Sequence, residues 1–322
     1  MNEINNPESV GLVFNLMARY ADGKSENEFD RAVGAALGND PTVKQTVRQL
    51  VEAVRKKPEV MRLLPKEVSE NPTHLFQVDN YQTAFRKLHV SFKTRNRDNN
   101  GNADERDDHP PHLEARSGAN TPDIRIFYRG LKCVTETSDG SASDEPYLIT
   151  SVVDSNWHVH TVKHPFSEES YTDVDAGEKR VGPEIAIYNG KAQDLTLIGV
   201  MMEHDFGDPN HFRGAIDSAV KTAAAALKIG TGISIPGVIT DLLADIINLF
   251  FGAEDDTIGS AYRTCEKANL IAWSKAPLKT KEKETFFGKE MEMPAAMGYH
   301  FRTWHNGDGG AYRAYYRVKE GN

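Results

Sequence analysis

The chain has 322 residues, 39% hydrophobic and 26% charged, with a net charge of −9, figures that admit one large globular domain or two modest ones and exclude a fibrous or low-complexity chain. Its two cysteines, Cys133 and Cys265, exclude a disulfide framework and a cysteine-rich zinc site. They read as buried thiols, with a single bridge as the alternative. The first 95 residues hold 14 basic and 12 acidic side chains against 24 and 35 in the rest, so the acid excess lies wholly after residue 95; it disfavours nucleic acid as a partner and favours cations.

The amino terminus, MNEINNPESVGLVF, has no basic region followed by an apolar run, so no cleavable secretory signal is visible. The expectation is a cytoplasmic protein, or one exported by a route that needs no such signal. Residues 1–95 read as a helical domain. Val10, Val13, Phe14 and Met17 form one face of a helix over Pro7–Tyr20, and Phe29, Val33, Ala36 and Leu37 repeat the spacing over Glu28–Leu37. Asp40-Pro41 then opens a third helix, with Asp as N-cap and Pro at the first helical position. A fourth is expected around Tyr81–Phe92. Residues 96–122, rich in Asn, Asp, Gly and Pro, read as a flexible linker.

From residue 123 to 322 the period shifts to two. About eight short β-rich runs, among them Ile124–Tyr128, Leu131–Val134, Tyr147–Val153, Leu195–Met202, Ile258–Cys265 and Ala311–Val318, are separated by Gly, Ser, Asp and Asn. That pattern predicts an antiparallel β-sandwich. One piece breaks it. Residues 208–252 carry two amphipathic helical patterns joined by Gly230-Thr-Gly-Ile-Ser-Ile-Pro-Gly237, an αα-hairpin spliced between two strands. The predicted architecture is therefore α+β, a helical region followed by a sandwich with an inserted hairpin.

Acidic residues cluster where strands end. Leu195–Met202 runs into Glu203-His-Asp205, the hairpin exits into Glu254-Asp255-Asp256-Thr-Ile-Gly, and Leu131–Val134 leads into Thr-Glu-Thr-Ser-Asp139-Gly-Ser-Ala-Ser-Asp144-Glu-Pro-Tyr147. In this order the segments resemble the calcium-and-lipid-binding C2 domain family over roughly residues 123–320. The resemblance implies an eight-stranded sandwich whose acidic loops meet at one end and share Ca2+. On that resemblance the ligands are Asp139 and Asp144 from one loop, Glu203 and Asp205 from another, and Asp255 or Asp256 beyond the hairpin. Glu203 stands where the family has Asp, Glu145 intervenes before Pro146, and the hairpin enlarges the third loop. Physical chemistry agrees with the assignment: clustered carboxylates repel one another, and a cation with six to eight hard oxygens relieves them. Asp208, preceding a proline at a helix start, has the features of an N-cap.

The expected function is calcium-dependent binding of a membrane surface or protein partner, with Leu242, Leu243, Ile246 and Phe250 of the hairpin adding contact area. Two alternatives stand beside it: a membrane-active effector whose hairpin inserts into a bilayer, and an assembly protein docking through its amino-terminal helices. His158 and His160 alternate on one strand face and read as solvent-facing polar residues rather than zinc ligands. The Gly-x-Ser-x-Gly and Gly-Lys-Ser/Thr motifs are absent, so nothing in the sequence calls for an enzyme.

Overall fold

The computed structural model describes residues 4, 6–87, 121–137, 144–204, 208–231, 242–243, 245–247, 249, 257–286, 289–307 and 309–321. The chain divides into two compact units. One comprises residues 1–100, 153–161 and 207–255; the other comprises residues 101–152, 162–206 and 256–322. The linker expected at residues 96–122 lies outside the described residues except for its last two.

In the first unit, α1 (Pro7–Ala21), α2 (Glu28–Leu37) and α3 (Pro41–Arg55) start where their caps dictate. Pro7 and Pro41 open their helices, the Asp40 carboxylate accepts the Thr42 N–H at 2.8 Å, and Asn27 and Asp30 form a reciprocal capping box on α2. The short α4 (Pro58–Met61) and α5 (Lys66–Glu70) follow, then a helix over residues 78–87. The predicted stripe of α1 is buried, and so are Leu12, Asn15, Leu16 and Arg19, because α1 packs against α2, α3, α5 and the long helix Pro209–Thr231 at once. That long helix sits between β5 and β6 in the chain, yet Ala215, Ile216, Ala219, Val220, Ala223 and Leu227 are buried and the helix packs on α1, α2 and α3. The helical pattern read as an insertion in the strand region thus groups in space with the amino-terminal helices.

The second unit holds β1 (Asp123–Thr135), β2 (Pro146–Asp154), β3 (Val159–His164), β4 (Lys179–Lys191), β5 (Leu195–Glu203), β6 (Thr257–Cys265), β7 (Lys279–Phe286), β8 (Lys289–Tyr299), β9 (Phe301–Gly307) and β10 (Gly310–Glu320), the tip of the β2–β3 hairpin clustering with the first unit. Two four-stranded sheets have the orders β4-β1-β10-β9 and β3-β2-β5-β6, and β7 and β8 form a separate antiparallel pair. Side chains from both larger sheets share one core, including Ile126 and Tyr128 of β1, Leu148 of β2, Leu197 and Met201 of β5, and Tyr312 and Tyr316 of β10.

The runs Ile124–Tyr128 and Leu131–Val134, read as separate, are one strand with a bulge between them. Pairing of β1 with both neighbours shifts register at Tyr128/Gly130, so inward residues change from Ile124, Ile126 and Tyr128 to Leu131 and Cys133. Gly130 has φ +145°, and a Cβ there would collide with the Arg180 carbonyl oxygen. Cys133 and Cys265 are buried free thiols. The pattern reading missed the short helix Lys267–Lys275 and the β7–β8 pair.

Candidate functional site

The two acidic stretches that frame β1–β2 and end β5 come together at Thr137. Its backbone N–H donates to Asp144 Oδ2 at 3.0 Å, and its hydroxyl lies 2.8 Å from Asp144 Oδ1 and 2.7 Å from Glu203 Oε2. The Tyr312 hydroxyl, reaching across from β10, donates to the same Asp144 carboxylate. Both acids are buried, Asp144 at 1% exposure and Glu203 at 4%. A threonine hydroxyl has a single proton, so at Thr137 two buried carboxylates meet on one donor.

The next residues extend the junction. The His204 N–H donates to the Glu145 carbonyl at 3.1 Å, and the His204 ring lies 3.6 Å from the Glu145 carboxylate and 3.8 Å from that of Glu169. Residues 165–178, between β3 and β4, join at the same place. The Val174 N–H donates to the Asp144 carbonyl and the Tyr171 N–H to the Pro146 carbonyl, each at 2.9 Å. Described residues flanking the β1–β2 connection and ending β5 therefore meet the β3–β4 connection here.

Asp144 acts first as a post for its own loop, since donors from Thr137 and Tyr312 already point at its oxygens. Burial, and after it the hydrogen bond to Asp144, pushes the Tyr312 phenol far above its ordinary range, so Tyr312 remains a donor. Burial likewise raises Cys133 to about 11, so beside Tyr312 it stays a thiol rather than a nucleophilic thiolate. Thr137, Glu169 and Tyr312 were not among the expected site residues. The one available signal was that a tyrosine on a buried strand face must find a partner for its hydroxyl.

Of the remaining expected ligands, Asp139, Asp205, Asp255 and Asp256 lie outside the described residues. Among the described residues no three His, Cys, Asp or Glu side chains are grouped to hold a metal. Asp208 is an N-cap, its carboxylate accepting the Asn210 N–H at 2.8 Å. Leu242, Leu243 and Ile246 were expected to face a membrane or partner; all three are fully buried, and Phe250 lies outside the described residues. Asp245 is buried too and accepts the Asn6 backbone and side-chain N–H groups at 2.9 and 3.1 Å, next to the start of α1. His158 and His160 are exposed, as expected, and His158 pairs with Asp154 at 3.1 Å. Among the described residues no helix is long and apolar enough to cross a membrane.

Comparison with models of known protein families finds none that matches the chain, and comparison with curated proteins finds no similar one.

Proposed function

We propose that the end of the sheets around Thr137 is a calcium-dependent binding end, and that the two sheets form a C2-like sandwich. The observation that carries the reading is the Thr137 hydroxyl held within 2.8 Å of both Asp144 and Glu203, which joins two acidic segments far apart in the chain. Eight strands in two four-stranded sheets are what the resemblance implies. In this reading Ca2+ neutralises the carboxylates that meet at Thr137. Glu203 offers it an oxygen, Asp144 steadies the loop, and Asp139, Asp205 and Asp255 or Asp256 supply further ligands. Without the ion the carboxylates repel; with it, the loops hold one shape and present a surface to a membrane or protein.

The apolar contact falls to Phe166 rather than to Leu242, Leu243 and Ile246. Phe166 belongs to the β3–β4 connection and is 67% exposed.

Melting curves with and without about 2 mM Ca2+ test the ion, since a ligand bound only by the fold raises its melting temperature. The expected result is a rise specific to Ca2+ over Mg2+ that disappears in Glu203→Gln. No rise in the unaltered chain overturns the reading. Calcium-dependent sedimentation with anionic vesicles, lost in Phe166→Asp, would make the surface a membrane; sedimentation unaffected by that change would remove Phe166 from the site.

A further inference from the structure

The helical unit carries a groove of about 800 Å3 between α1, α5 and the helix over residues 78–87. Its floor is apolar and buried, formed by Leu12, Val68 and Ala84. One wall is fixed by the Pro65 ring, which lies so close to Gly11 that any Cβ there would collide with it. At the edge, Leu75 is 46% exposed, and the half-buried Phe76 ring stands edge-on to His74 and Tyr81. Two large apolar side chains are thus left at the lip of an apolar trough.

The charges around it have one sign to spare. Lys87 on the rim pairs with Glu8 at 3.3 Å. Glu67 and Asp79, each in the first turn of its helix, face the groove as exposed carboxylates with no ion pair among the described residues. An acidic rim repels an anionic bilayer, and it repels the same rim of a second copy laid against it. We propose that the groove receives an amphipathic helical segment of a partner protein, with apolar residues on Leu12, Val68 and Leu75 and basic residues on Glu67 and Asp79. The groove belongs wholly to the helical unit, and the proposal does not depend on the calcium reading.

The test uses the full chain and a fluorescent peptide of about 14 residues with Leu at helical spacing and Lys elsewhere, beside a peptide carrying Glu in place of Lys. The Lys peptide is expected to bind saturably, and the Glu peptide about tenfold more weakly or worse. Leu75→Asp, and separately Glu67→Lys with Asp79→Lys, should each weaken the Lys peptide by a similar factor. All three positions are exposed, so melting should hold. Equal binding of the two peptides overturns the proposal, as does unchanged binding by the well-folded variants. A dimer of the unaltered chain that Leu75→Asp dissolves would assign the groove to a second copy, and vesicle binding lost in the same variants would assign it to a membrane; either also overturns it.

Discussion

Arg19 shows how much one side chain can hold in the helical unit. It is 1% exposed, and its guanidinium grips Asp30 with two hydrogen bonds of 2.8 and 2.7 Å while donating to the Thr73 carbonyl at 2.8 Å and to Glu26 at 3.1 Å. Asp30 closes the α2 capping box as well, so a single pair ties α1 to the start of α2. Burial alone would raise the Asp30 carboxyl; the hydrogen bonds and charge of Arg19 outweigh it and bring the carboxyl below its ordinary value. Replacing Arg19 with Met leaves that carboxylate buried without its cation, and chemical denaturation should show a loss of about 3–5 kcal/mol. Caps such as Asp40 and Asp208 were legible in the sequence because their chemistry is local, within four residues. Arg19 was not: it lies off the predicted stripe of α1, and only packing from several helices puts it inside. Asp144 was legible by resemblance, but its partners Thr137 and Tyr312 come from separate parts of the chain.

At the scale of elements, the β7–β8 pair shows where period-two reading fails. The sequence of β7, Lys-Thr-Lys-Glu-Lys-Glu-Thr-Phe, has no apolar alternation, because its buried position in the middle carries Glu282 instead of a hydrocarbon. Glu282 lies 2.7 Å from Arg302 and 3.4 Å from Arg313, its other oxygen is 3.8 Å from Lys132, and it accepts the Tyr315 hydroxyl at 3.0 Å. One carboxylate thus binds a charged strand to β1, β9 and β10. Glu282→Gln removes the negative charge that three cations share. It should lower stability by about 3 kcal/mol or more in a denaturant titration, a penalty that added salt reduces only in part because the cluster is buried. The helix Lys267–Lys275 was hidden for a related reason: Leu270, Ile271, Ala272 and Trp273 are consecutive and make no stripe. By contrast β2, β5 and β10 were legible nearly to their ends, since runs of Val, Ile, Leu and Tyr bounded by turn residues leave little else to form.

For the molecule as a whole, pH acts directly on two buried histidines. His164 of β3 stacks on Tyr128 of β1 with ring centroids 4.1 Å apart, and His305 of β9 lies fully buried with Nδ1 3.3 Å from the Gly259 carbonyl of β6. Each imidazole reaches from one larger sheet to the other. Burial pushes His164 down to about 3 and His305 to about 4, from an ordinary 6.5. The unfolded chain therefore takes up protons below pH 6.5 that the fold refuses, and stability falls as pH falls from there toward 4. The combined loss by pH 4 is on the order of 5 kcal/mol, comparable with the total stability of a domain. Melting temperature measured from pH 7 to pH 4 should drop steeply, and His164→Phe, which keeps the ring stack, should flatten part of the drop. The broad division into helices followed by strands was legible from the change of period near residue 123. The grouping of Pro209–Thr231 with α1, α2 and α3 was not, because an apolar helical face states that it needs a partner and not which one. That grouping bears on the order of events at the ribosome. A nascent chain exposes the greasy sides of α1, α2 and α3 while everything from Arg55 to Pro209 is still being synthesised, and the long helix that covers them comes only afterwards. Such a chain invites holdase chaperones during translation, and a circular permutant that brings the covering helix forward should be released from them sooner.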